Sequence, residues 1–230
     1  MPRDAAKPVT VDIDGTRSVS GLLREVEQPQ ALLVLAHGAG AGMGHPFMCA
    51  VSEGLAARQV ASLRYQFPYM EKGSKRPDPP AVAQATVRAA VDAARAAYPA
   101  TTLFAGGKSY GGRMTSQAQA TRALEGVRGL AFLGFPLHPA GKPSDERAAH
   151  LADVRIPMLF LQGTKDDLAD LSLLQPVVQK LGAPARLETF EEADHSFHVP
   201  KRSGRTDAEV IGSMLDALAA WMKTIAGDPA

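Results

Sequence analysis

The chain contains a single cysteine, Cys49, and almost no net charge. One cysteine cannot form an internal disulfide, as is usual in a reducing compartment. The formal charge is +1, so composition gives no reason to expect nucleic acid or an anionic membrane as a partner. No run of eighteen apolar residues occurs, and the first residues lack the apolar segment of a secretion signal. We therefore expect a cytoplasmic protein with neither a nucleic-acid nor a membrane partner.

Short apolar runs alternate with longer helix-like segments over the whole chain. A length of 230 residues suits one large α/β domain, which we expect to span 1–230. From Ala31 onward most of the runs are continuously apolar, as in parallel strands covered on both faces. The predicted strands are 9–13, 18–23, 31–36, 60–65, 102–105, 130–134, 158–161 and 186–190.

The helix-like segments lie between these runs. They are 47–58, 80–98, 110–121, 168–181 and 207–225, and in the last of them Trp221 lies on an apolar stripe that predicts a core position. This alternation predicts a doubly wound sheet with helices on both faces. Residues 1–30 are expected to form antiparallel edge strands, and 226–230 a tail.

The segment Gly107-Lys108-Ser109-Tyr110-Gly111 places a serine between two glycines, after an apolar run and before a helix-like segment. This context is typical of a nucleophile elbow, where the turn from strand to helix is too tight for side chains two residues before and after the serine. The serine oxygen then projects beside the free N–H groups of a helix N-terminus. The pattern alone is a weak signal, so its interpretation depends on partners further along the chain.

A serine nucleophile needs a base, and the base needs a third group that holds its tautomer. Asp166 follows the predicted strand 158–161 by way of Gly163, and His195 follows the last predicted strand. Both would therefore lie on loops at the carboxyl edge of the sheet. The order Ser109, Asp166, His195 is the one used on this architecture, and it predicts a catalytic triad.

Each partner has a rival nearby in the sequence. Asp167 is the alternative acid, and Asp166 is preferred because of its position after Gly163. His198 is the alternative base, but it lies three residues deeper in a loop leading to Pro200. We interpret Asp194 as a residue that fixes this loop.

An oxyanion hole needs two N–H donors aimed at one point. Tyr110, the residue after the nucleophile, should supply one, and the glycine-rich loop after the strand 31–36 should supply the other. Ala39 is the expected donor in that loop, with Gly40 second, and His37 is interpreted as a brace. The glycine spacing matches neither a dinucleotide fingerprint nor a phosphate loop.

Two proline-rich loops, 66–80 and 135–143, interrupt the alternation, and loops at the carboxyl ends of parallel strands bind ligands. We expect substrate-binding residues there and in the glycine-rich loop, namely Gly40, Phe67, Tyr69, Met70 and His138. Lys72, Lys75 and Arg76 are interpreted first as a solvated charge run and second as an attraction for an anionic substrate group. Apart from His195 and His198, the histidines show no paired metal-ligand spacing, and no cysteine cluster joins them, so neither a metal nor another cofactor is expected.

The segments HGAGAGMGHPFM, GGKSYGGRM, LQGTKDD and EADHSF resemble the α/β-hydrolase superfamily. Together with FPYMEKG and GFPLHPAGKP, they are similar to a branch of small lidless serine hydrolases near the dienelactone hydrolases. The resemblance covers the chain from about Ala31 to the end. It implies the α/β-hydrolase fold, with a mostly parallel, doubly wound sheet of eight (or seven) strands and no large cap.

The same resemblance implies roles for individual residues. Ser109 would be the nucleophile, Asp166 the acid and His195 the base, with Ala39 and Tyr110 as oxyanion donors. Dienelactone hydrolases proper use a cysteine nucleophile, whereas this chain has a serine at that position. Their lactone substrate is therefore not carried over.

These observations predict a serine hydrolase that cleaves a small carboxylic ester or thioester through an acyl-enzyme. Two alternatives stay open. The fold could serve as a non-catalytic binding or scaffold module, or the same residues could transfer the acyl group to an acceptor other than water or carry out perhydrolysis. The sequence does not define the physiological substrate or the oligomeric state.

Overall fold

The computed structural model describes residues 6–227, which build a sheet of eight strands with helices on both faces. The strands are β1 (Lys7–Asp12), β2 (Ser18–Arg24), β3 (Ala31–Ala36), β4 (Val60–Tyr65), β5 (Leu103–Lys108), β6 (Val127–Leu133), β7 (Met158–Gly163) and β8 (Ala185–Phe190). The helices are α1 (Pro46–Ala56), α2 (Pro68–Glu71), α3 (Pro80–Ala97), α4 (Tyr110–Thr121), α5 (Leu171–Leu181) and α6 (Asp207–Ala226). Two 3₁₀ helices cover Glu146–Asp153 and Lys201–Ser203.

The strand order is β1-β2-β4-β3-β5-β6-β7-β8. Only β2 runs antiparallel to its neighbours, β1 and β4, and every other pair is parallel. From β3 the chain moves outward to β4 and then crosses back over β3 to β5. The carboxyl ends of β3 and β5 therefore flank the point where the winding reverses, which is where open α/β sheets bind ligands.

Both faces of the central strands are buried, which explains their continuous apolar sequences. In β3, Leu32, Val34 and Ala36 face one core, and Ala31, Leu33 and Leu35 face the other. The first core lies under α3, α4 and α5, and the second lies under α1 and α6.

The predicted core position of Trp221 is confirmed by its packing on α6. The side chain is buried, and its ring centroid lies 5.4 Å from that of Phe104 on β5. The amphipathic stripe of α6 therefore covers the second core, as its spacing predicts.

The predicted fold is confirmed, with eight strands rather than seven, and no large cap interrupts the described residues. Several boundaries differ from the predictions. β5 continues to Lys108 because its last residues, although glycine-rich, still pair with β3 and β6. α5 begins at Leu171 rather than at 168, because the carboxylate of Asp170 caps the helix by accepting from the backbone N–H of Ser172.

Besides the 3₁₀ helix Lys201–Ser203, two further short helices were not predicted. α2 lies inside the segment predicted as the loop 66–80, with a proline at the start of the helix that fits its first turn. The 3₁₀ helix Glu146–Asp153 precedes β7. Both are too short for an apolar period to be visible in the sequence.

The two ends of the chain are described only in part. β1 and β2 form the antiparallel edge predicted within 1–30, of which residues 1–5 lie outside the described part. At the other end, α6 includes Ala226, the first residue of the predicted tail 226–230. Residues 228–230 also lie outside the described part of the chain. None of the helices within 6–227 is long and apolar enough to cross a membrane.

Gly106 offers a direct test of the contact between β5 and β6. A Cβ atom there would lie 1.9 Å from the carbonyl oxygen of Ala131, and a backbone atom cannot rotate away. We expect Gly106→Ala to lower the free energy of unfolding by at least about 3 kcal/mol, the upper end of overpacking costs. Urea denaturation measures the change.

Gly212→Ala is the matched control, since Gly212 lies within α6 and a Cβ atom there meets nothing within 4 Å. This change should raise the free energy of unfolding by up to about 1 kcal/mol, because alanine favours a helix. A Gly106→Ala protein as stable as the wild type would contradict the described contact.

Candidate active site

The turn from β5 to α4 is held by two glycines that lie against the end of β3. A Cβ atom at Gly107 would lie 2.4 Å from the carbonyl oxygen of Ala36. A Cβ atom at Gly111 would lie 2.6 Å from the carbonyl oxygens of both Ala36 and His37. Only glycine permits this approach, which explains why the sequence has no side chain at either position.

Ser109 occupies the turn in a strained backbone conformation. Its φ is 50° and its ψ is −117°, a region that residues with a side chain rarely adopt. The close approach of the glycines on either side keeps it there. Ser109 consequently lies at a cavity between the carboxyl ends of the strands rather than inside the helix.

The structure brings Ser109, His195 and Asp166 into one chain of hydrogen bonds. The Oγ of Ser109 lies 2.8 Å from Nε2 of His195, and Nδ1 of His195 lies 2.7 Å from Oδ2 of Asp166. A proton on Nδ1 donated to the carboxylate leaves Nε2 free to accept the serine proton. The arrangement can therefore activate the hydroxyl as a nucleophile.

Asp166 is fixed by neighbours that sequence reasoning missed. Its side chain is buried, and its Oδ2 also accepts a hydrogen bond from Nε2 of Gln162. The backbone N–H of Leu168 donates to Oδ1 at 2.8 Å. Gln162 is itself held, because its Oε1 accepts from the N–H of Phe135 at 2.9 Å. The signal in the sequence was a polar residue near the end of an apolar strand.

The loops that carry the acid and the base lie directly against each other. A Cβ atom at Gly163 would lie 2.2 Å from the carbonyl oxygen of Ala193. The N–H of Lys165 donates to that same oxygen at 2.9 Å. Asp194 holds the base loop, since its Oδ1 accepts from the N–H groups of Ser196 and His198. This is the loop-fixing role that its position suggested.

The rival residues lie away from the serine. Asp167 is exposed, and its neighbour Asp166 is the residue that reaches His195. His198 pairs with Asp207 at 2.9 Å, and this partner raises the pKa of His198. An imidazole already paired with a carboxylate elsewhere is not available to Ser109.

The glycine-rich loop after β3 is held by a buried histidine, His37. His37 is fully buried, and its Nδ1 lies 2.7 Å from the carbonyl oxygen of Gly38. Its Nε2 accepts from the N–H of Phe67 at 3.2 Å, which leaves the Nδ1 proton to be donated. Burial lowers the pKa of His37 and so favours this neutral form.

Two backbone N–H groups beside Ser109, one on this loop and one at the start of α4, have no protein partner among the described residues. The N–H of Gly40 donates to the hydroxyl of Tyr69 at 3.0 Å and is therefore occupied. Among the hydrogen bonds within 6–227, none uses the N–H of Ala39 or Tyr110. These two groups, one on the loop and one at the start of α4, are the pair that can serve an oxyanion.

A cavity of about 370 Å³ opens beside Ser109 and His195. Most of its wall is apolar and consists of Ala39, Ala41, Phe47, Met48 and Leu168. The sequence did not single out Phe47, Met48 or Leu168 as lining residues; all three lie in segments predicted only as helices. The cavity can hold a small apolar group next to the serine.

The residues that line this cavity do not include the five predicted to bind substrate, and one of those five, Gly40, is exposed on the glycine-rich loop. Phe67, Tyr69 and Tyr110 form a ring cluster, with the centroids of Phe67 and Tyr110 5.4 Å apart. Met70 lies beside Gly42 at the back of the glycine-rich loop. His138 is buried and accepts from the N–H of Asp170 at 2.9 Å. These contacts support the two loops that flank the cavity.

Within the described part of the chain, no group of three His, Cys, Asp or Glu side chains is placed so that it could hold a metal ion.

Several solved structures share this fold. An α/β serine hydrolase without a lid from Xanthomonas campestris has a TM-score of 0.73 and 20% identity, over 96% of each chain. The dienelactone hydrolase of Anabaena variabilis has a TM-score of 0.71 and 20% identity, over 95% of each chain. The esterase domain of a Rhodothermus marinus protein has a TM-score of 0.73 and 17% identity, over 96% of this chain and 99% of that one.

The family described as alpha/beta hydrolase domain matches residues 29–223, from just before β3 into the last turn of α6. The match includes both glycine-rich turns and the loops that carry Asp166 and His195. The chain belongs to the alpha/beta hydrolase domain family.

Proposed function

We propose that this protein is a serine hydrolase that cleaves small carboxylic esters or thioesters through an acyl-enzyme. The observation that carries the proposal is the unbroken chain of hydrogen bonds from Ser109 through His195 to Asp166 beside an apolar cavity. A binding module would not require a serine held in a strained turn within 2.8 Å of a histidine.

In the first half of the reaction, Oγ of Ser109 attacks the carbonyl carbon while Nε2 of His195 takes its proton. The carbonyl oxygen becomes an oxyanion, which accepts hydrogen bonds from the N–H groups of Ala39 and Tyr110. The bond to the leaving oxygen or sulfur then breaks, and His195 returns the proton to that atom. The acyl group remains on Ser109.

In the second half, water replaces the leaving group. Nε2 of His195 takes a proton from water as the water oxygen attacks the acyl-enzyme, and the same proton returns to Oγ of Ser109 when the acid is released. Asp166 stays ionised throughout and stabilises the imidazolium that forms in each half. The cycle restores the free enzyme.

The cavity limits the substrate to a small acyl or alcohol group. A volume of about 370 Å³ is at the lower end of small-molecule sites. Its apolar wall favours a group without charge at that end of the substrate. Esterase and dienelactone hydrolase activities of proteins with the same fold are consistent with an ester substrate.

Simple measurements distinguish this proposal from its two alternatives. A non-catalytic scaffold would leave Ser109 unreactive toward a fluorophosphonate. Transfer of the acyl group to another acceptor, or perhydrolysis, would use the same residues. Product analysis in the presence of a competing alcohol or peroxide separates these reactions from hydrolysis.

Asp166 and Asp167 provide an internal comparison of two adjacent acids. Asp166→Asn should lower kcat for p-nitrophenyl acetate by about 10⁴-fold, because an amide cannot hold the required tautomer of His195. Asp167→Asn should leave kcat nearly unchanged, since Asp167 is exposed and lies outside the hydrogen-bond chain. Ser109→Ala defines the uncatalysed background.

Equal losses in the two asparagine variants would contradict the assignment of Asp166. Wild-type turnover by Ser109→Ala would contradict the proposed nucleophile. Circular dichroism of each variant separates loss of function from loss of fold.

The oxyanion site depends on the approach of α4 to the end of β3. Gly111→Ala would force a Cβ atom between the carbonyl oxygens of Ala36 and His37 and separate the donors on Tyr110 and Ala39. Losing one oxyanion donor costs about 10² to 10³ in kcat, and we expect a loss of at least that size.

Gly44→Ala is the control for this change, because a Cβ atom at Gly44 meets nothing within 4 Å. Its turnover of p-nitrophenyl acetate should stay within about threefold of the wild type, since an exposed substitution changes stability little. A fully active Gly111→Ala protein would show that the approach of α4 to β3 is not needed.

A further inference from the structure

Lys108, the residue before the nucleophile, lines the cavity beside Ser109. Its Cγ lies 3.6 Å from the position of a Cβ atom at Gly38, in the loop after β3. Its ammonium lies 2.9 Å from the corresponding position at Gly134, which follows β6. The same point at Gly134 is 3.4 Å from the ring of His195. The ammonium and the imidazole ring therefore both lie beside Gly134, in space that only a glycine leaves open.

At the end of this path, Nζ of Lys108 donates a hydrogen bond of 2.6 Å to the backbone carbonyl of His195. The ammonium lies over two aromatic rings, with Nζ 5.9 Å from the centroid of Phe47 and 5.8 Å from that of Phe197. These rings are stacked on each other at 5.9 Å. Cation–π attraction compensates part of the lost hydration.

We propose that Lys108 is a positioning residue that sets the distance between Ser109 and His195. One end of the lysine is covalently attached to the nucleophile, and the other holds the backbone of the base. This inference rests on the proposed hydrolase function and adds a residue to its machinery.

The bond matters because it is the direct link between the backbone of His195 and the strand that carries Ser109. Within 6–227, the other hydrogen bonds of His195 involve its ring nitrogens, which contact Ser109 and Asp166. Among the described residues, Asp194, the residue before it, forms hydrogen bonds only within the base loop. Without Lys108, the ring of His195 would still contact Ser109, but the backbone of His195 would have no hydrogen bond to the strand that carries the nucleophile.

The charge state of Lys108 adds a pH dependence to this link. Burial lowers the pKa of Lys108 to about 8, although the charges of Asp166 and Asp194 act in the opposite direction. Two other titratable groups line the same cavity as Lys108, namely His195 on the base loop and His45 at the N-cap of α1. After β6, the residue next to the ammonium is Gly134, which has no titratable side chain. The ammonium makes a charge-assisted bond, about twice as strong as that of a neutral amine. Activity should therefore decline as the pH rises through about 8.

The test compares the wild type with Lys108→Met, Lys108→Arg and Lys223→Met. Methionine keeps the length and removes the charge, arginine keeps the charge to high pH, and Lys223 is exposed on α6. With p-nitrophenyl acetate, we expect Lys108→Met to lower kcat by about 10- to 100-fold while KM changes less than about threefold, because misplacement of the base affects the chemical step.

The pH profile distinguishes positioning from a merely structural role. The wild type and Lys223→Met should lose activity above about pH 8. Lys108→Met should show no such decline at its lower plateau, and Lys108→Arg should recover part of the activity without the decline. A Lys108→Met protein with wild-type kcat, or with the same alkaline decline, would overturn the proposal.

A measurement of stability tests the buried ammonium without relying on catalysis. Because the pKa is lowered from 10.5 to about 8, the unfolded chain binds a proton in this window that the folded chain does not. Stability of the wild type relative to Lys108→Met should therefore rise as the pH increases from about 8 to 10. A difference in denaturation midpoint that does not change with pH would overturn the proposal. If Lys108→Met does not fold, Lys108→Gln replaces it in both measurements.

Labelling of Ser109 by a fluorophosphonate separates the two proposals. If wild type and Lys108→Met react equally fast at every pH, the positioning role fails and the hydrolase proposal stands. If the folded wild type does not react at all, the hydrolase proposal fails, and the positioning role fails with it.

Discussion

The close contact between the end of β3 and the turn that carries Ser109 determines where the other parts of the site lie. Gly107 and Gly111 allow the carbonyl oxygens of Ala36 and His37 to come within a distance that no side chain would permit. Because the direction of winding through the sheet also reverses between β3 and β5, the start of α4 and the glycine-rich loop lie at the same edge of the sheet. The turn that carries Ser109 and the glycine-rich loop are thus brought together by close backbone contacts.

A second set of contacts fixes the acid and the base relative to this opening. The buried carboxylate of Asp166 is held by Gln162, and the loops meet where Gly163 lies against Ala193. On the other side, Lys108 joins the nucleophile strand to the carbonyl of His195. The acid loop is therefore connected to the base loop, and the base loop to the strand that carries the nucleophile.

The sequence predicted the parts of this arrangement that depend on local chemistry. Apolar runs identified the strands, and glycine spacing identified the turn at Ser109, because both follow from steric rules that act over a few residues. The cavity wall was not predicted, because Phe47 and Met48 belong to a helix whose orientation is set by packing. Phe67, Tyr69 and His138 belong to loops near the cavity, but their side chains are buried and do not line it. The sequence alone does not indicate which side chains of a loop line a cavity. Gln162 and Lys108 act through distant partners, which only the fold brings near.

The most direct test of the central claim is a crystal structure of the protein after reaction with a small alkyl fluorophosphonate. The account predicts a covalent bond from phosphorus to Oγ of Ser109. It also predicts that the phosphoryl oxygen accepts hydrogen bonds from the N–H groups of Ala39 and Tyr110, with the alkyl group in the cavity beside Phe47 and Leu168. An unmodified Ser109 in the folded protein, or a phosphoryl oxygen turned away from both N–H groups, would contradict it.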